Sequence, residues 1–273
     1  MIDLHCHSQF SDGLLSPAVL IDKAIQLGMT YFALTDHDTV AGYSESRTAV
    51  GDSGLQLISG IELSVHWKRY DIHIIGLNID VHNEALLAVI QQQSDKRIDR
   101  ARAIGKALEA CGIPQAYEKA CVIAGHTRIG RAHFGQLLVQ LGYVPHIKAA
   151  FTRYLGTGKV AYVPSCWINL QGAVTAIRQA GGQAVIAHPF KYRLTRTKLL
   201  TLIEEFKLAG GEGMEVVSGD MVDQDIVSLA KLCNQFGLLA SSGSDFHGES
   251  LSRIGLGKQK PLPLSCLPIW HTW

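Results

Sequence analysis

The sequence predicts an α/β protein in which strands and helices alternate, interrupted by a small all-helical insert. Short runs rich in Ile, Leu, Val and Tyr alternate with amphipathic segments through most of the chain. That alternation is typical of a parallel sheet with right-handed crossovers. Most of the strand candidates stop at a His, Asp or Glu residue. Because reactive groups lie at the carboxyl ends of strands in barrels of alternating strands and helices, this arrangement predicts an active site there.

The first part of the chain reads strand, helix, strand. The helix is expected from Pro17 to Leu27, because Pro favours a first helical turn and Gly28 follows the last apolar position. Strand candidates begin at Ile2, Tyr31, Leu55 and Tyr70.

The pattern is purely helical from Asn83 to Phe151, beginning with one long periodic segment. Shorter helices are expected at Pro114–Val122, Arg131–Leu141 and His146–Leu155. We therefore predict a barrel domain formed by residues 1–82 and 156–273, and a helical insert, residues 83–155, that acts as a lid or recognition domain. After the insert, helices at Leu170–Ala180, Thr197–Ala209 and Asp223–Phe236 alternate with the strands QAVIAH, GMEVV and LLASSGSD. The Pro-rich C-terminal tail is expected to pack irregularly.

Composition excludes several classes of protein. Of 273 residues, 47% are apolar and 18% charged, which permits a large buried core. The formal net charge of +1 argues against a long nucleic-acid track, and no apolar run reaches the length of a membrane span. Six cysteines without a Cys-x-x-Cys pair suit reduced thiols, so we expect a cytoplasmic protein without a signal peptide.

Histidines and carboxylates recur at the predicted strand ends. His5 and His7 are two residues apart, so on a strand both rings face one way and Cys6 faces the other. Asp12 follows in a loop with Gly13 that is short enough to fold back over the strand end. Six further candidates lie at or near other strand ends: His37, Glu62, His73, His188, Asp245 and His247.

A shared cationic centre explains the whole set, because clustered ionisable groups without a partner are costly to bury. Three ions of four to six coordination need more contacts than these nine side chains offer. Water or substrate must supply the rest, which is typical of a catalytic site. Imidazole and carboxylate without thiolate suit Mn²⁺, Fe²⁺ or Zn²⁺, and the sequence does not choose among them.

In this order, His5-x-His7, Asp12, Thr-Asp-His37, Gly-Ile-Glu62, His73, His188-Pro and Asp245-x-His247 resemble the PHP (polymerase and histidinol phosphatase) family along essentially the whole chain. The resemblance implies a distorted seven-stranded β/α barrel with three divalent ions. It assigns the first ion to His5, His7, Glu62 and Asp245, the second to Glu62, His73 and His188, and the third to Asp12, His37 and His247.

The helical insert makes the chain most similar to the tryptophan-operon-linked branch of this family, which includes nucleoside 3′,5′-bisphosphate phosphatases and the 5′-to-3′ exoribonuclease RNase AM. The resemblance implies hydrolysis of a phosphate ester by a metal-bridging hydroxide. The expected partner is a phosphorylated nucleotide or a short RNA 5′ end, with no membrane. Two alternatives stay open: a small-metabolite phosphatase, such as one for histidinol phosphate, and a non-catalytic metal-dependent binding module.

Roles beyond metal binding are assigned as hypotheses. Asp245 is expected to be essential for turnover, and His188 or His247 could protonate the leaving oxygen. Candidate phosphate-binding residues in the insert are Arg128, Arg131 and His133, at the start of a predicted helix. A second basic set, Lys191, Arg193 and Arg196, is a weaker candidate for phosphate binding. Arg97, Arg100 and Arg102 are expected to form a solvated face of the long helix. Tyr192 and Phe246 are expected to pack against the protein and not to stack on a base.

Overall fold

The computed structural model describes all residues from Met1 to Trp273 and divides them into two compact units, Met1–Ile90 with Ile168–Trp273, and Gln91–Trp167. The sequence places the insert at residues 83–155. The first boundary differs because helix α3 (Glu84–Glu109) continues past residue 90 without a break.

The first unit contains eight strands: β1 (Ile2–Asp3), β2 (Tyr31–Leu34), β3 (Gln56–Trp67), β4 (Tyr70–Leu77), β5 (Ile168–Asn169), β6 (Gln183–Ile186), β7 (Gly213–Ser218) and β8 (Leu239–Gly243). Seven of them follow the order β1-β2-β3-β4-β6-β7-β8, and β5 pairs with the outer end of β3. Beyond β1 and β8, Leu4 N donates to Ser242 O (3.1 Å) and Asp245 N donates to His5 O (2.8 Å). These bonds join the two edge strands, so the predicted distorted seven-stranded barrel is confirmed.

Helices cover the outside of the sheet of the first unit. They are α1 (Pro17–Gln26), α2 (Tyr43–Val50), α7 (Leu170–Gln179), α8 (Arg196–Leu208) and α9 (Asp223–Gln235). α1 begins as predicted, with Pro17 in the first turn and the Ser16 side chain accepting from Val19 N. α2 was not predicted, because its eight residues carry little apolar periodicity.

The parallel arrangement expected from the alternation of elements is interrupted by β4, which runs antiparallel to both of its neighbours, β3 and β6. β3 and β4 form a hairpin in which Trp67 pairs with Tyr70. Only Lys68 and Arg69 connect them, whereas a parallel connection needs a dozen or more residues. β3 also continues to Trp67, so Glu62 lies within this strand and not at its end.

Buried residues form two layers on the sheet. Outward-facing side chains such as Ile74, Ile186 and Met214 pack in one large cluster with α7, α8 and α9. Inward-facing residues such as Ile75 and Val185 form a second cluster, which includes Ile269 from the C-terminal tail. The tail was expected to be irregular, but it ends in a short 3₁₀ helix over Ile269–Thr272, and Ile269 is fully buried in this inner cluster.

The second unit is entirely helical, in agreement with the predicted helical pattern. After the remainder of α3 (Glu84–Glu109) come α4 (Ala116–Ala124), α5 (Arg131–Gln140) and α6 (Ile147–Ala150), which continues as a π-helical turn over Phe151–Leu155. Ile104, Leu108, Phe134 and Leu138 are central to its own hydrophobic core. None of the helices combines the length and the apolar character that a membrane span requires.

Candidate metal centre

The segment after β1 brings two imidazoles to one end of the barrel. His5 Nε2 and His7 Nε2 lie 3.1 Å apart and both rings are buried. Cys6 faces the other way, into the cluster beneath α1, as strand alternation predicts. His5 can occupy this position because residue 243 is a glycine and has no side chain. A Cβ at residue 243 would overlap His5 Cβ and would lie 2.7 Å from His5 N. The glycine of the SGSDFHG motif therefore makes room for a site residue.

A compact loop places Asp12 over the same strand end. The buried Asp36 carboxylate accepts hydrogen bonds from Ser8 N (2.7 Å), Ser8 Oγ (2.6 Å) and Ser11 Oγ (2.5 Å). Gly13 N donates to Ser8 O, and a side chain at Gly13 would collide with the backbone at the start of the loop. Asp36 thus fixes the loop that positions Asp12, a role that the sequence analysis did not assign to it.

Glu62 lies at the centre of the cluster. It is fully buried, and imidazole nitrogens surround both of its carboxylate oxygens. Oε2 lies near His5 Nε2 (3.3 Å), His7 Nε2 (3.3 Å) and His37 Nδ1 (3.0 Å), and Oε1 lies near His73 Nδ1 (2.9 Å) and His188 Nε2 (3.0 Å). The backbone explains this position, because a bridge between His37 and Glu62 aligns the end of β2 with the middle of β3. One carboxylate therefore contacts side chains from four other segments of the sheet.

The end of β8 completes the cluster. Asp245 Oδ1 lies 3.5 Å from His5 Nε2 and 3.3 Å from His7 Nε2, and its other oxygen contacts Lys191 Nζ. His247 Nε2 lies 3.3 Å from Asp12 Oδ1. All nine residues predicted as metal ligands are therefore close together. The four overlapping groups whose ligand atoms lie within 4.8 Å of one another are His7-Asp12-His37-His247, His5-His7-Asp245, His5-Glu62-His188 and His37-Glu62-His73.

Buried acceptors without hydrogen bonds indicate what the cluster can hold. Asp12 Oδ1 and Glu62 Oε2 are inaccessible to solvent and accept no hydrogen bond of acceptable geometry. Leaving such groups unpaired is costly, and a cation removes the cost. The donors are imidazole nitrogens and carboxylate oxygens without thiolate, a set that suits Mn²⁺, Fe²⁺ and Zn²⁺. The residues present therefore fit divalent cations.

Charge is concentrated at this end of the barrel. Burial by itself would raise the pKa of the carboxyl groups of Asp12, Glu62 and Asp245. The neighbouring imidazoles, together with Lys191 beside Asp245, instead hold all three pKa values well below their usual range. The three carboxylates are therefore ionised at neutral pH, as cation binding requires.

The imidazoles differ in their affinity for protons. Burial and the neighbouring charge of His247 lower the pKa of His7 to about 3. Burial opposes protonation of His247 as well, but the nearby Asp12 and Asp245 carboxylates raise its pKa to about 9. In the absence of a metal ion, His247 therefore carries a proton that a bound cation would have to displace.

Two residues at the site have strained backbones. His188 has a φ of 25° and Asp245 a φ of 53°, in the left-handed region that non-glycine residues rarely adopt. Such conformations persist when the surrounding structure enforces them, and they cluster at functional sites. Each residue lies two positions beyond the end of a strand, His188 after β6 and Asp245 after β8.

Two further polar residues contact the cluster. The sequence analysis did not single out Glu215, and it assigned Tyr192 to packing. Glu215, in the middle of β7, is fully buried beside His5 and His188. Its signal in the sequence is a carboxylate inside an otherwise apolar strand. The Tyr192 hydroxyl accepts from His73 N (2.8 Å) and donates to Ala187 O (2.8 Å). Tyr192 thereby connects β4 with the end of β6.

The aromatic side chains near the site pack against the protein, as the sequence analysis favoured. Phe246 is 1% exposed in the cluster beneath α1, so it has no face available for a base. The Tyr192 ring lies edge-on to the His188 ring, with 5.4 Å between ring centroids.

The predicted phosphate-binding residues of the insert lie around the first turn of α5. His133 Nδ1 accepts from Gly130 N (3.1 Å), so this ring caps the helix. Arg131 lies over the Phe151 ring, 5.8 Å from its centroid, and Arg128 lies in the loop that precedes Gly130.

One assignment on α3 is wrong in part. The guanidinium groups of Arg97 and Arg100 lie over the Trp167 ring, 5.0 and 5.4 Å from its centroid, and Arg100 Nε donates to Val163 O. Both are half-buried, so only Arg102 belongs to a solvated face. The helical spacing did not reveal this, because Trp167 is distant in sequence.

Comparison with known proteins agrees with this geometry. The PHP domain model matches residues 3–157. The chain is 42% identical to a 5′-3′ exoribonuclease of Haemophilus influenzae over 98% of this chain and 97% of that protein. It is also 42% identical to a 3′,5′-nucleoside bisphosphate phosphatase of Chromobacterium violaceum, over 99% of this chain and 95% of that protein.

Two solved structures share the fold. One, described as an amidohydrolase from Chromobacterium violaceum with bound sulfate and no metal, has a TM-score of 0.95 and 41% identity, and the match covers 99% of this chain and 95% of the other. The second, described as a metal-dependent phosphoesterase from Bifidobacterium adolescentis, has a TM-score of 0.86 and 26% identity, with coverage of 99% and 93%. The chain therefore belongs to the PHP domain family of metal-dependent phosphoesterases.

Proposed function

We propose that this chain removes the 3′-phosphate of nucleoside 3′,5′-bisphosphates and trims short RNA from its 5′ end. The observation that carries the proposal is the buried Glu62 carboxylate, which five imidazoles surround and which Asp12 and Asp245 flank. The names of the relatives, a bisphosphate phosphatase and a 5′-3′ exoribonuclease, support these two substrate classes.

The proposed cofactor is a set of three divalent ions, with Mn²⁺ as the first choice. We propose that the nine clustered residues hold them in the three groups that the family resemblance implies. Short separations within each group support this: Glu62 lies between the first two, and Asp12 lies 3.3 Å from His247 and 3.9 Å from His37 in the third. Bound divalent ions would supply positive charge for the phosphoryl oxygens and would activate water at neutral pH.

The protein side chains supply orientation and proton transfer in this proposal. Asp245 contacts the two imidazoles that follow β1, so it helps to define the position of the reacting phosphoryl group. His188 and His247 are the candidates for protonating the leaving oxygen. A general acid must lie within hydrogen-bonding distance of the atom that it protonates. His247 is the more accessible of the two, with 23% of its side chain exposed, whereas His188 is buried with 7% exposed.

The insert is proposed to recognise the second phosphate or the 5′ end of the substrate. Arg128 and Arg131 lie beside the N-terminus of α5, where backbone N–H groups and the helix dipole favour anions. His133 supports them by capping the same helix. Since all six cysteines are free thiols, we also propose a reducing, cytoplasmic location.

The test is release of inorganic phosphate from adenosine 3′,5′-bisphosphate and of mononucleotides from a 5′-phosphorylated RNA oligomer. Mn²⁺ should support both reactions and a chelator should stop them. Histidinol phosphate serves as the small-metabolite comparison. Turnover of that compound alone would contradict the nucleotide assignment, and turnover of none would favour a non-catalytic binding module.

A charge-neutralising substitution tests the role of the insert. Arg131→Gln should raise KM for the bisphosphate about ten-fold or more, because a charge-assisted hydrogen bond contributes about 1.5–3 kcal/mol. KM for a simple phosphomonoester should change little. Arg102→Gln is the matched control, since Arg102 lies in the same unit and is 62% exposed. Equal effects on both substrates would contradict the phosphate-clamp role of Arg131.

A further inference from the structure

Glu215 makes two hydrogen bonds that connect it to two separate parts of the metal centre. Its Oε1 lies 2.9 Å from His5 Nδ1, and its Oε2 accepts from the backbone N–H of His188 at 2.6 Å. The side chain is fully buried. Both oxygens are therefore occupied by groups that belong to proposed metal ligands, and neither is directed to solvent.

The strand that carries Glu215 is shaped to direct this side chain inward. Gly213 and Glu215 alternate with Met214, which packs in the outer cluster with the helices. A bulge then shifts the register between Glu215 and Val217, so that Val216 and Val217 both pack in the outer cluster. Bulges near active sites re-aim side chains, and here the inward position before the bulge holds the carboxylate.

The hydrogen bond to His5 fixes the orientation of that ring. A carboxylate oxygen can only accept, so Nδ1 of His5 carries the proton and Nε2 is directed toward Glu62 and Asp245. Histidine ligands of metals generally donate their second ring N–H to a carboxylate or a carbonyl, which fixes the tautomer and the ring orientation. Without this acceptor, the His5 ring could rotate or present an N–H to the cation.

The hydrogen bond to His188 stabilises a strained backbone. His188 has a φ of 25°, which lies outside the strand region. Its backbone N–H donates to the Glu215 side chain and not to a neighbouring strand. The same carboxylate therefore fixes the orientation of the His5 ring and the backbone conformation of His188, which follows β6. Its two contacts fall in different proposed metal groups, the one with His5 and the one with His188.

We propose that Glu215 is a positioning residue of the metal centre, which orients His5 and holds the backbone of His188 so that both can bind their cations. The inference rests on the proposed metal centre and adds a residue outside the nine ligands. The third group, formed by Asp12, His37 and His247, makes no contact with Glu215. Loss of Glu215 should therefore weaken the binding of two ions and leave the affinity for the third unchanged.

The experiment is titration of the metal-free full-length chain with Mn²⁺ by calorimetry, with the wild type, Glu215→Gln and Val216→Ala. The glutamine keeps the size of the side chain but offers one acceptor oxygen and one NH₂ group, so it cannot accept from both donors. We expect Glu215→Gln to bind two of the ions about 10- to 100-fold more weakly, which is the usual effect of losing such a partner. Because affinity and not chemistry is lost, a large excess of Mn²⁺ should restore most of the turnover.

Val216→Ala controls for a general loss of stability, because Val216 is equally buried on the same strand but packs in the outer cluster. It should lower the melting temperature without changing the Mn²⁺ isotherm. If Glu215→Gln does not fold, Glu215→Asp retains the charge but cannot reach both donors, and it should show the same two weakened ions. Two results would overturn the role of Glu215. One is a folded variant whose Mn²⁺ isotherm equals that of the wild type, and the other is equal weakening of the binding of all three ions. Absence of Mn²⁺ binding by the wild type would overturn the metal centre itself.

Discussion

Replacement of Gly243 by alanine tests how closely the centre depends on the position of one histidine. A Cβ at residue 243 would lie 2.7 Å from His5 N and 3.0 Å from His5 Cα. The nearest atom is His5 Cβ, 2.3 Å from the added Cβ, and since non-bonded carbon atoms prefer about 3.5–4.0 Å, the two backbones must separate by about 1.2–1.7 Å. Gly243 does not have a positive φ, so alanine can adopt its backbone conformation and the effect is steric.

The expected loss follows from that displacement. A misplacement of about 1 Å in a catalytic site can reduce the rate about 100-fold, which corresponds to about 2.7 kcal/mol in the activation free energy. Overpacking should also lower the free energy of unfolding by about 1–3 kcal/mol. Gly243→Ala should therefore show a large fall in kcat, a weaker Mn²⁺ isotherm and a modestly lower melting temperature.

The assay compares phosphate release, Mn²⁺ titration and thermal unfolding for the wild type, Gly243→Ala and Gly255→Ala. Gly255 is the matched control, because its added Cβ would meet only Lys258 Cγ at 3.4 Å, in an exposed loop. This control should retain full activity. If Gly243→Ala kept kcat and Mn²⁺ affinity within two-fold of the wild type, the argument that His5 needs this close approach would be refuted.

Three further outcomes follow from the site. Asp245→Asn should abolish turnover while the chain still folds, as measured by phosphate release and thermal unfolding; near-normal turnover would contradict its assignment. Because the pKa of His247 is raised to about 9, this ring is protonated in the metal-free chain at pH 7.5, and Mn²⁺ binding should release that proton, measurable by calorimetry in buffers of different ionisation enthalpy. The release should diminish above pH 9 and in His247→Asn, and its absence from the wild type would contradict the pairing of His247 with a carboxylate. Tyr192→Phe should lower the free energy of unfolding by about 1 kcal/mol through loss of its hydrogen bonds, without a selective rise in KM for purine over pyrimidine substrates, which would instead indicate base stacking.

The elements that the sequence predicted well are those with strong local signals. α1 has a proline at its start and a glycine after its end, and its bounds agree with the prediction to within one residue. The alternation of strands and helices after the insert likewise follows from apolar periodicity. The sequence does not reveal the antiparallel β3–β4 hairpin, because the predicted strand from Leu55 ends near Glu62, whereas β3 continues to Trp67 and leaves only Lys68 and Arg69 as the connection.

Sequence by itself determined which residue types could form a metal centre and the order in which they occur. Spacing shows that His5 and His7 share a face, because that relation depends only on the geometry of a single strand. It also identified the family, since the order of nine imidazole and carboxylate residues along the chain is specific.

Only the tertiary structure decided how these residues meet and what supports them. The contact between Glu215 and His5 joins residues 210 positions apart, and the contact of Glu62 with His188 joins residues 126 apart. No local pattern encodes such pairs, because they depend on strand register, on the bulge after Glu215 and on closure of the barrel between β1 and β8. The chemical identity of the ligands is thus a property of the sequence, and their convergence on one carboxylate is a property of the fold.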